Sequence, residues 1–498
     1  MREKEFLKQR YGAILSYIGV ILVLSCVVML SPLLVLLVYP QEAGDAWAFV
    51  VPAVSLGLTG LILWRVFLPS SIVTLSIREG GVIVLISWVS VILFSAWPFA
   101  ALLGMDVSRA VFESVSGWTT TGLSVVDVTS AGRMILFWRS TMQLAGGAGL
   151  AIIMMSAIVG PTGVGISSAE GRTDQLVPNV RQSARLVLTI YTGYASAGTL
   201  GYWLAGMSPF DAVNHSFAAV STGGFSTRAE SIGTWNSLAI EAVTLPLMLL
   251  GNLSFVAAWF LWRGGFRLFA RNGEVRLLTV LIPISAAVLF MFTCQGLYPQ
   301  MGESARVAVF QAVTALTTTG YSTVSFRNWN GFGVLLLIVL MLIGGGTCST
   351  AGGIKQFRVY LLLKLLTWEI RRSLLPRTAV MECPVWEGNR RVFVDDARVR
   401  HVCIFVFLYL ATYVLGAMLL CACGYGLQDA LFEFASAIGT VGLSVGVTSA
   451  QMPDVALWAE ILAMFLGRLE FIVVIVSLLK LVGDGGRLMA STSKERGA

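Results

Sequence analysis

The sequence predicts an all-α polytopic membrane protein. It reads as four pseudo-symmetric helix–pore-helix–helix repeats around one central pore, preceded by two extra transmembrane helices. Three observations carry this. The chain is 56% hydrophobic and 12% charged, with mean hydropathy +0.80, whereas a soluble domain carries about a quarter charged residues. The stretch Tyr11–Pro40 has no charged residue and is long enough to cross a hydrocarbon core of roughly 30 Å. A string of the form Thr-x-Gly-(Leu/Phe/Tyr)-Ser then recurs four times, roughly a hundred residues apart, between apolar stretches.

The elements follow in order. Residues 1–70 form an N-terminal two-helix region with spans near 12–39 and 47–68; the first reads as a retained span, because no cleavage pattern follows it. Four pore repeats come next, at 79–166, 186–264, 277–365 and 401–482. Each holds a short segment, near 109–119, 210–221, 305–317 and 428–438, that is too brief to cross a bilayer and must dip in and return. Irregular backbone at that depth has to be buried in protein or line a wet cavity. Between the repeats, 167–186 is a polar linker, and 366–400 is the longest loop, with charges of both signs. A solvated linker is the expected meaning of that loop. The stretch 483–498 reads as a polar tail.

The copies are Thr120-Thr121-Gly122, Thr222-Gly223-Gly224, Thr318-Thr319-Gly320 and Thr440-Val441-Gly442, followed by Leu123, Phe225, Tyr321 and Leu443 and then by a serine. At matching distances upstream stand polar Glu113, His215, Gln311 and Glu433, and small Ser116, Ala218, Thr314 and Ser436. A bare alkali ion in hydrocarbon loses its hydration at a cost of tens of kcal/mol. Main-chain carbonyls can replace that water. Aiming several of them at one axis requires backbone that favours glycine. The threonines can add hydroxyl or carbonyl oxygens. Each short helix also directs the negative end of its dipole at the path, which favours a cation. Glu113 and Glu433 can either concentrate cations at a mouth or cap their helices.

Two further features stand out. The last helix of the third repeat is interrupted by Gly344-Gly345-Gly346-Thr347-Cys348-Ser349-Thr350-Ala351-Gly352-Gly353. Such a run breaks a helix, and it lacks the Gly-Lys-Ser/Thr ending of a phosphate loop. It reads as a flexible plug beneath the glycine loops. The other repeats place Gly146, Gly251 and Gly467 at a similar distance beyond theirs. Arg468 lies within the last apolar helix. An ionisable group there is a functional candidate, either a charge barrier in the pore or half of a buried ion pair. Lys355, nearer a helix end, reads as a snorkelling side chain.

Most of the 34 Lys and Arg fall in alternate loops, among them Arg172, Arg181, Arg185, Arg263, Arg267 and the run from Arg371 to Arg400. The positive-inside rule places those loops and both termini in the cytoplasm. Only Lys355 and Arg468 are expected within membrane depth. No aromatic-interleaved basic groove suggests nucleic acid. Seven cysteines without a Cys-x-x-Cys spacing imply neither a metal site nor a disulfide framework. His215 and His401 are the only histidines, so a polytopic membrane enzyme is a remote alternative, and no resident cofactor is expected on this chain.

These motifs together resemble the Trk/Ktr/HKT superfamily of potassium transporters over essentially the whole chain. TTTGLS, STGGFS, TTTGYS and GTVGLS look like its four filter loops, IGGGTCSTAGGIK like its intramembrane gating loop, and MFLGRLE like its segment bearing the pore arginine. The extra helix pair is similar to the TrkH branch. The resemblance implies K+ uptake across a bacterial inner membrane and a homodimer. It also implies a cytoplasmic nucleotide-binding regulatory subunit of the TrkA type. It places K+ at Thr120–Gly122, Thr222–Gly224, Thr318–Gly320 and Thr440–Gly442, the gate at Gly344–Gly353, and the barrier at Arg468. Plant relatives that favour sodium carry serine at the first filter glycine, so Gly122 argues for potassium over the sodium-selective or sodium-coupled alternative. Two departures, Gly251–Phe255 and Leu144–Gly149, lie where relatives carry other glycine patterns and bear on local helix packing.

Overall fold

The computed structural model describes residues 2–68, 75–149, 180–347, 349–376, 382–387 and 390–496. The end of the first repeat beyond 149, most of the 167–186 linker with Arg172, and Cys348 of the glycine string lie outside the described residues.

The chain opens with α1 (Arg2–Met29), a 3₁₀ run Ser31–Leu37 and α2 (Trp47–Val66). The two helices meet backbone to backbone. A Cβ on Gly19 would lie 2.6 Å from the Gly60 carbonyl oxygen, and one on Gly60 would lie 2.7 Å from that of Gly19. Small residues let apolar helices approach this closely in a bilayer, where packing replaces the hydrophobic drive.

The repeats follow. Repeat one comprises α3 (Ile77–Leu103), α4 (Val107–Trp118) and α5 (Arg133–Ala148). Repeat two comprises α6 (Val180–Leu204), α7 (Pro209–Val220), α8 (Leu238–Asn252) and α9 (Phe255–Trp262), with α10 (Phe266–Arg271) leading onward. Repeat three comprises α11 (Gly273–Leu289), extended by a π-turn at Phe290–Cys294, then α12 (Met301–Leu316), α13 (Gly331–Ile343) and α14 (Gln356–Ser373). Repeat four comprises α15 (Asp396–Ala422), α16 (Leu427–Ile438), α17 (Asp454–Leu469) and α18 (Phe471–Arg496).

The short helices begin where their caps allow. The Asp106 carboxylate accepts the Arg109 N–H at 2.8 Å, and the Ser208 hydroxyl accepts that of Asp211 at 3.1 Å ahead of Pro209. Each then packs between two longer helices: α7 between α5 and α8, α12 between α8 and α13, α16 between α13 and α17, and α4 between α17 and α5. The last contact closes the ring, so the repeats run in cyclic order. Large apolar side chains such as Leu58, Phe407 and Leu415 remain exposed, as a lipid-facing surface requires. Among the described residues five helices are long and apolar enough to cross a membrane, or up to seven when two sharply bent pairs are each taken as one span.

Two expectations need correction, and the chain also bends outside the glycine string of repeat three: α8 and α9 meet at 118°, and α17 and α18 at 100°. The first bend falls in Gly251–Phe255, where Leu253 is extended and the Ser254 hydroxyl caps α9; the second pivots on Glu470 with φ 65°. The tail at 483–498 is a continuation of α18, helical to Arg496. The 366–400 loop is partly built: α14 reaches Ser373, α15 begins at Asp396, and β1 (Pro384–Glu387) pairs antiparallel with β2 (Arg390–Phe393). Val385 is buried there with Leu361 and Val402.

Replacing Gly19 by Leu should force α1 from α2. Overpacking of this kind costs about 1–3 kcal/mol, read as a lower unfolding temperature in detergent; an unchanged transition would contradict the close crossing.

Candidate functional site

The four glycine loops meet. A Cβ on Gly122 would overlap the Gly223 carbonyl oxygen, one on Gly224 that of Thr319, one on Gly320 that of Val441, and one on Gly442 that of Thr121. Each loop thus abuts the next, and the fourth abuts the first. The glycines have φ between 74° and 94°, a region that disfavours side chains. They form the floor of a cavity of about 660 Å³, whose walls include Ser124, Ser226, Ser322 and Ser444. Asp127 also lines it. The Thr129 hydroxyl and N–H hold the Asp127 carboxyl below its usual range, so it stays negative.

The sequence reading assigned left-handed backbone to glycine alone. In the structure the first threonine of every loop adopts it as well: Thr120, Thr222, Thr318 and Thr440 have φ 58°, 50°, 52° and 50°. Each ends its pore helix as the left-handed residue of a Schellman turn. Thr120 N–H reaches Gly117 O at 3.1 Å, and Thr121 N–H reaches Ser116 O at 2.9 Å; the other three repeats repeat the pattern. A β-branched residue there stores roughly 1–3 kcal/mol of strain. The hydroxyls explain the choice. Thr121 and Thr319 turn theirs back onto Thr119 and Thr317, at 2.8 Å each. The four left-handed threonines instead face the glycine string.

That string lies directly under the ring. Thr350 meets the Thr222 hydroxyl at 2.9 Å, and its carbonyl accepts from the Thr120 hydroxyl at 3.3 Å. Gly352 N–H donates to the Thr318 hydroxyl at 3.0 Å, and a Cβ on Gly352 would overlap the Thr440 hydroxyl. All four repeats therefore touch Thr350–Gly352. Gly344 (φ 69°) and Gly353 (φ 80°) let the two ends of the string pass each other, and Gly345 N–H closes on Gly352 O at 2.9 Å. Gly346 N–H reaches Asn252 O at 3.2 Å, Thr347 N–H reaches Glu274 Oε1 at 2.7 Å, and the Ser349 hydroxyl reaches Gly346 O at 2.6 Å. Gln356 donates to Gly344 O at 3.0 Å.

Arg468 binds carbonyls. Its guanidinium donates to Thr350 O in the string and to Gly146 O at 2.8 Å in repeat one. Its neighbour Glu470 pairs with Arg358 at 2.6 Å. Lys355 does not snorkel: its ammonium donates to Ala351 O at the base of the string. Gly146, Gly251 and Gly467 have one role in common. A Cβ on each would overlap the last carbonyls of its own pore helix, those of Trp118, Val220 and Ile438.

The polar residues of the pore helices neither cap helices nor line a mouth. They brace the strand leaving each loop. Glu113 accepts from Ser124 Oγ at 3.0 Å and from Val125 N–H at 3.1 Å; Glu433 accepts from Ser444 Oγ at 2.6 Å and from Val445 N–H at 3.1 Å. His215 meets Ser226 Oγ at 2.9 Å, and Gln311 donates to Thr323 Oγ1 at 3.2 Å. The sequence reading missed Arg139, which is buried and pairs with Glu113 at 2.7 Å. It also missed Gln143, which spans the second loop from Gly223 O at 2.5 Å to Phe225 N at 3.2 Å. Both lie on α5, in the polar stretch Arg139-Ser140-Thr141-Met142-Gln143 between apolar residues, which was the available signal.

Comparison with known proteins places this arrangement. The family model TrkH, described as "Cation transport protein", matches residues 67–485. The chain belongs to the TrkH family. Among its relatives is a "Trk system potassium uptake protein TrkH" of Halomonas elongata, 32% identical over 490 residues and aligned over 93% of this chain and 97% of that protein. The protein of the same name from Vibrio parahaemolyticus is 30% identical over 487 residues, covering 94% and 98%. An uncharacterized cation transporter of Methanocaldococcus jannaschii is 29% identical over 472 residues, covering 93% of each. The crystal structure of the potassium transporter TrkH from Vibrio parahaemolyticus superposes with TM-score 0.81 at 29% identity, over 95% of this chain and 98% of that one. As a TrkH-family member the chain is a multi-pass membrane transporter and not an enzyme.

The TrkH-family frame makes the brace testable. Removing one partner of a buried ion pair costs about 3–5 kcal/mol. Arg139→Met should lose about that much stability by thermal unfolding, and adding Glu113→Gln should restore most of it. Equal stability of Arg139→Met and the parent would refute the pairing.

Proposed function

We propose that this protein carries K+ into a bacterial cell across the inner membrane, through a filter of backbone oxygens supplied by four repeats. The single observation behind this reading is the cyclic contact of Gly122, Gly224, Gly320 and Gly442 with the carbonyls of Gly223, Thr319, Val441 and Thr121. Four oxygen-bearing loops on one axis supply what a dehydrated cation needs, with no charged ligand to hold it too tightly. The relatives that are named potassium uptake proteins support K+ as the ion. Glycine at 122 favours it over Na+, since a side chain there would displace the Gly223 carbonyl.

Passage is gated by Gly344–Gly353. With Thr350–Gly352 against the four threonines, the path beneath the filter is filled. Arg468 holds this state through the Thr350 carbonyl and adds a positive charge below the filter, which opposes a cation. Opening requires the string to leave the threonine hydroxyls, Arg468, Asn252 and Glu274 together. The basic loops and both termini face the cytoplasm. There a nucleotide-binding subunit of the TrkA type can act on α14 and the hairpin at Pro384–Phe393, and the transporter works as a homodimer.

Purified protein in liposomes should admit Rb+ down a K+ gradient and exclude Na+; equal Na+ and Rb+ entry would defeat the reading. Gly122→Ser should reduce K+ over Na+ discrimination. Loss of a charge-assisted hydrogen bond worth about 1.5–3 kcal/mol shifts a closed gate by roughly tenfold or more. Arg468→Ala should therefore raise Rb+ flux by that order, and a fall in flux would make Arg468 a purely structural residue.

A further inference from the structure

Repeats one and four differ at one buried position. In repeat one Glu113 is neutralised by Arg139, 2.7 Å away on α5, two helical turns before Gly146. In repeat four Glu433 takes the place of Glu113, and the residue two turns before Gly467 on α17 is Glu460. A second acid stands where the first repeat has its cation. Both carboxyls are fully buried. They converge on Thr448, whose N–H donates to Glu433 Oε1 at 3.0 Å and whose hydroxyl donates to Glu460 Oε2 at 3.1 Å. Glu433 receives further donors, Ser444 Oγ and Val445 N–H. Glu460 Oε1 is buried and has no hydrogen-bond partner.

No Lys, Arg or His among the described residues forms a salt bridge with either acid. From the connection before α16, Tyr425 stands within electrostatic reach of both, with Cys423 beside it. The α15 phenol of Tyr413 is engaged by Leu431 O at 3.1 Å. On α4, Glu113 is held by Arg139, while Arg109 engages Asp106, Asp454 and the carbonyls of Ala450 and Met452. α13 carries no charged residue. On α17 itself, Asp454 is exposed at one end, and Arg468 at the other end is bound to Thr350 and Gly146. Two carboxylates that both bond Thr448 repel each other when both are ionised, and the low dielectric of a buried site makes that repulsion costly. Such a pair resolves the conflict by holding one proton between its two members.

We propose that Glu433 and Glu460 bind one shared proton, drawn from the outer vestibule, and that this proton controls how firmly repeat four grips its filter strand. Three donors favour the ionised form of Glu433, so the proton resides on Glu460, with Oε1 the atom free to carry it. Ser444 supplies the route: it lines the vestibule and touches Glu433. When the proton leaves, the second negative charge pushes Glu433 from Thr448, Val445 and Ser444. The strand that follows Gly442 then loses its brace. The sign follows: ion discrimination is high at acidic external pH and falls as the pH rises through the titration of the pair.

The experiment compares Rb+ and Na+ entry into proteoliposomes across external pH of about 5–9 for wild type, Glu460→Gln and Glu460→Arg. Wild type should lose Rb+ over Na+ preference as the pH rises. Glu460→Gln, which mimics the protonated acid, should hold the acidic preference throughout. Glu460→Arg, which rebuilds the pair of repeat one, should also be insensitive to pH. Infrared difference spectra of the purified protein should show a protonated carboxyl band at acidic pH that disappears in Glu460→Gln. The flux measurement rests on the proposed K+ passage; the infrared one does not, so the two readings fail separately. An identical pH response in wild type and Glu460→Gln would overturn the proposal, as would absence of the band. Discrimination that follows external Na+ or Ca2+ at fixed pH would also overturn it, by showing a metal cation between the carboxylates.

Discussion

Everything at the centre of this molecule depends on four glycine Cα atoms lying against four carbonyl oxygens of neighbouring loops. That contact admits no side chain. It sets how near the loops come to one axis, and it makes the repeats interdependent: a displacement in one loop passes to the next. The pore helices are seated accordingly, each wedged between longer helices of its own and the preceding repeat. Gly146, Gly251 and Gly467 bring those longer helices onto the pore-helix ends. Close packing of small residues thus does the work that hydrophobic burial does in a soluble core.

Strain and polarity are confined to the same place. Threonine in left-handed backbone is costly, yet it occurs in all four repeats, because the hydroxyl it carries meets the glycine string below. The hydroxyls of Thr120, Thr222 and Thr318, with Arg468, Asn252, Glu274 and Gln356, share the string's polar groups among several weak holds. No single bond locks it. The ion pair of Arg358 with Glu470 joins the helix leaving the string to the bend that follows Arg468.

The repeats are alike in backbone and unlike in chemistry. The brace behind the glycine loops uses a carboxylate with arginine in the first, histidine in the second, an amide in the third and two carboxyls in the fourth. Among the described residues, the carboxylate of the first has a fixed cation as its partner and the carboxyls of the fourth do not. A ring assembled from one chain, unlike one built from identical subunits, permits such asymmetry, and regulation can be lodged in one quadrant without altering the others.

The class of protein, the four loops, the short helices and the glycine string are legible in the order of amino acids. Those follow from local requirements: apolar length to cross lipid, glycine where backbone must turn left, and segments too short to span. Arg468 and the glycines of the long helices stand out in the same way. What these groups touch is set by the packed fold. The bends at Leu253 and Glu470 are not announced by a glycine run, because they are held from repeat three, by Gly346 N–H on the Asn252 carbonyl and by Arg358 on Glu470. Nothing in the amino-acid order singles out Arg139 without Glu113 beside it, or Glu460 without Glu433. Partners separated by tens to hundreds of residues are chosen by packing, and the cost of burying a charge is settled only where the chain finally brings its neighbour.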